Sequence, residues 1–111
     1  MANHEEAKIE NKELLQLVSF KIGDEEFGVN ILNVKEINRM SQITKVPNTS
    51  DFIEGVINLR GRIISVIDLR VKLGMIRKEH GKNTRIIVVD IKGQTLGFIV
   101  DEVNEVLRIP Q

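Results

Sequence analysis

Apolar and polar residues alternate through the stretch LLQLVSFKI, from Leu14 to Ile22. Val18, Phe20 and Ile22 share one face of an extended strand, while Leu15 and Leu17 hold the other until Ser19 and Lys21 replace them. Such a strand begins buried on both sides and ends half exposed. Gly23 and Asp24 supply turn chemistry, and EEFGV returns as the second arm of a hairpin with Phe27 and Val29 inward. The period then lengthens. In NILNVKEINRM, Ile31, Val34 and Ile37 recur every third residue behind a capping Asn30, which predicts one or two turns of helix. ITKVP reverts to strand character as far as Pro47, and NTSDFIEG offers Ser50 as the N-cap and Gly55 as the terminator of another helical turn.

Farther along, Val56 to Leu59 and Ile63 to Ile67 form the arms of a tight hairpin around Arg60 and Gly61, the glycine providing the positive φ that such turns require. Asp68 can cap a short helix carrying Leu69 and Leu73, with Gly74 just past its end. IRKEHGKN is a polar loop. TRIIVVDI is a nearly continuous β-branched run, as expected of a strand buried on both faces, and QTLGFIVD follows the turn residues Lys92 and Gly93 to complete a third hairpin. In EVNEVLRIP the pattern leaves two readings open, since Val103, Val106 and Ile109 have helical spacing while Val106 to Ile109 also pass for a strand. Short, regularly spaced strands and glycine turns predict a mainly β fold, a barrel of antiparallel strands whose closure hides its edges. Residues 1–13 have little to bury and read as a disordered tail ahead of one domain at 14–111.

Composition narrows the chemistry. Among 111 residues, sixteen basic and sixteen acidic side chains cancel, so no net field draws the chain to a polyanion. Cysteine is absent, which removes thiol nucleophiles, thiolate metal sites and disulfides together. MANHEEAKIENKE lacks the apolar core of a signal peptide and no later run approaches a membrane span, so the sequence predicts a soluble cytoplasmic protein. The only histidines are His4 in the tail and His80 in the polar loop, neither with a neighbour to orient or metallate it. Asp24, Glu25 and Glu26, and likewise Asp101 and Glu102, are adjacent residues that point to opposite faces of a strand, which makes them solvated turn residues and not catalytic pairs. With no phosphate loop or dinucleotide fingerprint, no cofactor is expected and the chain does not read as an enzyme. A small nucleic-acid-binding β-barrel is the alternative reading, opposed by the zero charge and by the absence of tyrosine and tryptophan for stacking. For Arg60, spacing alone does not separate a solvated turn residue from a planar fork offered to a partner's carboxylate. Val34, Val103 and Val106 likewise fit either a core or a groove.

Three stretches break this tie. GDEEFGVNILNVKEI, FIEGVINLRGRIISVIDLRVKLG and LGFIVDEVNEVLRIP stand in the order and at the separations by which the chain, from about Leu14 to Gln111, resembles the CheW family of adaptors in bacterial chemotaxis. The resemblance implies two five-stranded SH3-like barrels, the second inserted within the first, and no enzymatic activity. It implies an adaptor that bridges the cytoplasmic tips of chemoreceptors (methyl-accepting chemotaxis proteins) to the regulatory domain of the histidine kinase CheA, touching the membrane only through the receptor array. Receptor contact falls on Val34 and Glu36 of the expected short helix, on Asn58, Arg60 and Gly61 at the hairpin tip, and on Val103 and Val106. Kinase docking falls on Ile43, Val46, Pro47, Ile64 and Val66 at the exposed end of the second barrel. Members of the family continue for several tens of residues beyond VLRIP, so the first barrel is expected to be incomplete here and its free strand edges to favour self-association at high concentration. Arg60→Ala and Val34→Asp are expected to weaken receptor binding with little effect on unfolding.

Overall fold

The computed structural model describes residues 14–110, so the expected tail at 1–13 and residue Gln111 lie outside the described residues. Strands β1 (Leu14–Ile22) and β2 (Glu25–Asn30) form the first hairpin, with Val18 opposite Val29 and Phe20 opposite Phe27. Asn30 does cap: its Oδ1 accepts the Leu32 N–H at 2.9 Å. The element that it caps, however, is a single 3-10 turn, Ile31–Asn33, which leads straight into strand β3 (Val34–Arg39). Val34 and Glu36 therefore lie on a strand and not on the expected helix. The helical signal came from Val34 and Ile37, but on β3 the more sheltered positions are Val34, Glu36 and Asn38, while Ile37 faces solvent. Polar residues on the sheltered side of the strand concealed its period of two.

Strand β4 (Ile53–Leu59) and β5 (Arg62–Asp68) make the hairpin around Arg60 and Gly61, both at positive φ (53° and 83°) as a type I′ turn demands. The expected helical turn from Ser50 to Gly55 is absent. The Ser50 carbonyl accepts the Ile53 N–H in a turn, and Gly55 lies inside β4 at a register shift. There Thr44 crosses the strand, exchanging both backbone hydrogen bonds with Val56 at 2.9 and 2.8 Å, and a Cβ on Gly55 would stand 2.2 Å from the Thr44 carbonyl oxygen. The glycine permits a close backbone approach; it does not end a helix. The strand expected at ITKVP shrinks to this one bridge.

Asp68 caps α1 (Leu69–Lys72) by accepting the Arg70 N–H, and Gly74 follows at φ 79°. Strands β6 (Arg85–Ile91) and β7 (Gln94–Val100) form the third hairpin, and the ambiguous C-terminal stretch is strand β8 (Glu102–Pro110), paired antiparallel with β1. Two sheets result, ordered β2-β1-β8 and β3-β6-β7-β5-β4. The two expected barrels thus correspond to a three-stranded and a five-stranded sheet. The pairing is not wholly antiparallel, because the chain crosses over through α1 and β6 before β7 returns parallel to β5.

The five-stranded sheet curls on itself. Laid flat, β5 would lie three strand spacings from β3, about 14 Å. Yet Arg60 in the β4–β5 turn pairs with Glu36 on β3, and Thr44, just beyond β3, bridges to β4 at the opposite edge. Inside the curl, Ile57, Ile64, Val66, Ile86, Val88 and Ile99 form one buried cluster. Ile87, Val89 and Val100 point the other way and meet Phe20 and Ile22 of the three-stranded sheet in a second. Alternate residues of β6 feed the two cores, which is why IIVV carries no polar position. Among the described residues no helix is long and apolar enough to cross a membrane.

Candidate functional site

Asn58 fixes the β4–β5 turn by accepting the Gly61 N–H on its side-chain oxygen at 2.9 Å. Arg60 is held at φ 53°, a region that disfavours residues with a side chain, and its own side chain is 75% exposed. Positive φ alone does not mark a site, since Lys92 adopts the same conformation in the other type I′ hairpin. What distinguishes Arg60 is its partner. Its Nη1 and Nη2 donate to the two carboxylate oxygens of Glu36. Hydrogen bonds from Arg60 and then Asn38, outweighing the effect of burial, hold the Glu36 carboxyl below its usual range, and Glu36 raises the Arg60 guanidinium in turn. The fork is thereby aimed across the mouth of the curled sheet.

Beside the pair lies a notch of about 140 Å³ whose walls include Leu59, Ile64 and Val88. On the side where the two sheets meet, Val34 and Val103 pack partly buried against the second cluster, while Val106 is 47% exposed. The structure therefore brings Glu36, Asn58, Arg60 and Gly61 together at one tip. Val34 and Val103 belong to the seam between the sheets, while Val106 lies on β8 opposite Val18 and is open to solvent.

The positions expected to meet the kinase divide. Val46 and Pro47 are exposed and Ile43 packs partly on the first cluster, but Ile64 and Val66 are 3% and 0% exposed within it. Those last two side chains are unavailable to a partner: β5 alternates, and the residue that it turns outward is Ile63, 66% exposed.

Sequence reasoning missed one polar cluster. Asp101, read as a solvated turn residue, accepts the Gly23 N–H at 2.7 Å and forms a forked ion pair with Arg70. These residues lie far apart in sequence, so no local pattern links them. They border a larger, polar cleft of about 690 Å³, where Arg70 is already satisfied by Asp101 and by the Ile76 carbonyl. His80 is exposed, and among the described residues no group of three or more His, Cys, Asp or Glu side chains is placed to hold a metal ion.

The fold is a curled five-stranded β-sheet packed against a three-stranded one, with an exposed, ion-paired arginine at one hairpin turn. The CheW-like domain model matches residues 16–111, and the chain belongs to that family. It is 42% identical over 102 residues to the chemotaxis protein CheW of Helicobacter pylori, covering 92% of this chain and 62% of that protein. Over 94 residues it is 43% identical to CheW of Klebsiella aerogenes, covering 85% of this chain and 57% of that one. It also superposes on the crystal structure of scaffolding protein TtCheW from Thermoanaerobacter tengcongensis with a TM-score of 0.83 and 46% identity, over 86% of this chain and 65% of that one. The chain spans about three-fifths of the length of the curated relatives that it matches.

Proposed function

We propose that the chain acts as a non-enzymatic chemotaxis adaptor, coupling the cytoplasmic tips of chemoreceptors to the histidine kinase CheA in receptor arrays. The observation that carries this reading is the Arg60 turn: a mostly exposed guanidinium, held off solvent-averaged rotamers by Glu36, at the tip of a hairpin fixed by Asn58. A planar fork presented in this way suits carboxylates and amides on a helical partner. Val34 and Val103 at the seam and the exposed Val106 on β8 supply the apolar part of the contact. A second surface, comprising Val46 and Pro47 with Ile43 beneath, is the kinase-docking face. Two separate faces allow both partners to bind at once, which coupling requires; a difference in contact between receptor states then shifts the kinase equilibrium. The test is calorimetric titration of the chain with a chemoreceptor cytoplasmic fragment, then with the CheA regulatory domain, then with both. Simultaneous binding is expected. Binding of neither partner, or mutual exclusion of the two, overturns the reading.

A further inference from the structure

The polar cleft beside Arg70 and Asp101 has walls of opposite charge. One wall belongs to the three-stranded sheet, which lines the cleft with Lys21 of β1, Asp24 of the β1–β2 turn and Glu102 of β8. The other is the connection from α1 to β6, which contributes Lys78, Glu79 and Lys82. A cation and two carboxylates on the first wall are thus matched by two cations and a carboxylate on the second. Among the described residues none of the six forms an ion pair. The cleft of about 690 Å³, room for roughly twenty waters at ~30 Å³ each, lies between them. The connection is pinned at both ends. Arg77 donates to Glu54 Oε1 at 2.6 Å and to the Asp51 carbonyl at 3.0 Å, while the buried Thr84 accepts the Gly81 N–H on its Oγ1 at 2.8 Å. Between these anchors Lys78, Glu79 and His80 are exposed, and among the described residues none of them makes a hydrogen bond. Nothing stands within 4 Å of the place that a Cβ on Gly81 would take, so no packing there resists a movement.

We infer that residues 78–82 form an electrostatic strap that closes across the cleft, bringing Lys78 and Lys82 to Asp24 and Glu102, and Glu79 to Lys21. Every charge on the strap then has an opposite partner on the other wall. Exposed ion pairs are weak singly, so closure is an equilibrium biased by three of them together and not a permanent lock. The strap belongs to the five-stranded sheet and its targets to the three-stranded one, so closure adds a link between the sheets and covers the Arg70–Asp101 pair. That link responds to ionic strength: exposed charges are screened by salt, whereas the more sheltered Arg70 and Asp101, with side chains 15% and 28% exposed, are screened much less. The strap requires no partner and stands whether or not the adaptor reading does.

The experiment is zero-length carbodiimide coupling of the full chain, which joins a lysine amine to a carboxylate only where the two meet, followed by mass spectrometry of the monomeric fraction. At about 10 mM salt, where the Debye length is about 30 Å, wild type should give links between residues 78–82 and Lys21, Asp24 or Glu102. At about 1 M, where that length is about 3 Å, their yield should fall about fivefold or more. Reversing one wall, by Lys78→Glu with Lys82→Glu or by Asp24→Lys with Glu102→Lys, should cut the low-salt yield severalfold, and all four substitutions together should restore it. The four replaced side chains are exposed, so thermal unfolding near that of wild type verifies that the variants are folded. The wild-type comparison across salt decides the matter even if a variant does not fold. Absence of links across the cleft at low salt, or a yield unchanged at about 1 M, overturns the strap. A folded fourfold variant that stays unlinked also overturns it, as do links confined to dimers, which would mean that the two walls meet only between copies.

Discussion

Arg70 and Asp101 form a forked ion pair across the junction of the two sheets, with Nε 3.0 Å from Oδ1 and Nη2 2.6 Å from Oδ2. Arg70 belongs to α1, which follows β5 of the five-stranded sheet, and Asp101 lies between β7 and β8. Oδ2 also accepts the backbone N–H of Gly23 in the β1–β2 turn. One carboxylate thus ties the three-stranded sheet to the five-stranded one, beside a shared apolar cluster that sets no particular angle between them. The ion pair and the Gly23 hydrogen bond add directional links beside that cluster, where Val34 and Val103 also pack.

The pair makes stability depend on acid. Burial opposes ionisation of Asp101, but the Arg70 hydrogen bond, the Gly23 N–H and the Arg70 charge outweigh it, so the carboxyl titrates below its usual range when folded. A folded value below the unfolded one, near 3.9, means that the contribution is complete at neutral pH and is lost as the pH falls through about 4 and below. Asp101→Asn should cost about 1–3 kcal/mol at pH 7 and flatten the fall in unfolding midpoint between about pH 5 and pH 2. Thermal unfolding across that range checks both effects. An acid slope identical to wild type would place the dependence on other carboxylates.

Gly55 should be among the least replaceable residues in the chain. A methyl group there would stand 2.2 Å from the Thr44 carbonyl oxygen and 2.7 Å from Ile43 Cγ2, at a φ of 155°. Thr44 cannot retreat without losing both of its hydrogen bonds to Val56. Gly55→Ala is expected to cost about 2–4 kcal/mol in urea unfolding. Gly61→Ala, with nothing within 4 Å and only its φ of 83° against it, should cost about 1 kcal/mol.

Where local chemistry and fold agree, the architecture was legible from residues alone. Asp68 capping α1, Gly61 and Gly93 at the hairpin turns, and the doubly buried β6 all follow from neighbours in sequence. It was illegible where a distant partner dictates the conformation. β3 looked helical because Glu36 and Asn38 occupy its sheltered side, and Glu36 is there to meet Arg60, 24 residues away. Gly55 looked like a helix terminator because the backbone that demands its small size comes from Thr44, in an isolated bridge eleven residues earlier. Asp101 looked solvated because Arg70 is 31 residues distant. Resemblance could not tell which side of β5 is open: alternation along the strand buries Ile64 and Val66 and leaves Ile63 exposed.

Adjacent residues of β6 belong to different cores, a claim that mutation can separate. Ile86 lies within the curl of the five-stranded sheet, and Ile87 lies between the sheets. Each truncation to alanine should cost about 2–4 kcal/mol, as expected for a fully buried isoleucine. Only Ile87→Ala should also loosen the first hairpin, which shows as faster amide exchange at Phe20 and Ile22. Equal protection of those amides in the two variants would mean that the cores are not independent.

Arg60 and Val34 should separate where they were expected to behave alike. Arg60 is mostly exposed, and its pairing with Glu36 is open to solvent, so Arg60→Ala should leave the unfolding midpoint near wild type. Arginine truncations at interface centres nonetheless weaken binding about tenfold or more, and that is the loss expected with a receptor fragment. Val34 packs against the buried cluster at the seam, so Val34→Asp sets a charge against Phe20, Ile87 and Val89 and should cost roughly 1–3 kcal/mol of stability. Its effect on binding then mixes lost contact with lost fold. Val106→Asp, at a residue 47% exposed, is the cleaner probe of the apolar contact. If Arg60→Ala lowers the melting temperature as much as Val34→Asp does, the guanidinium holds the curl closed and is not principally a contact for a partner.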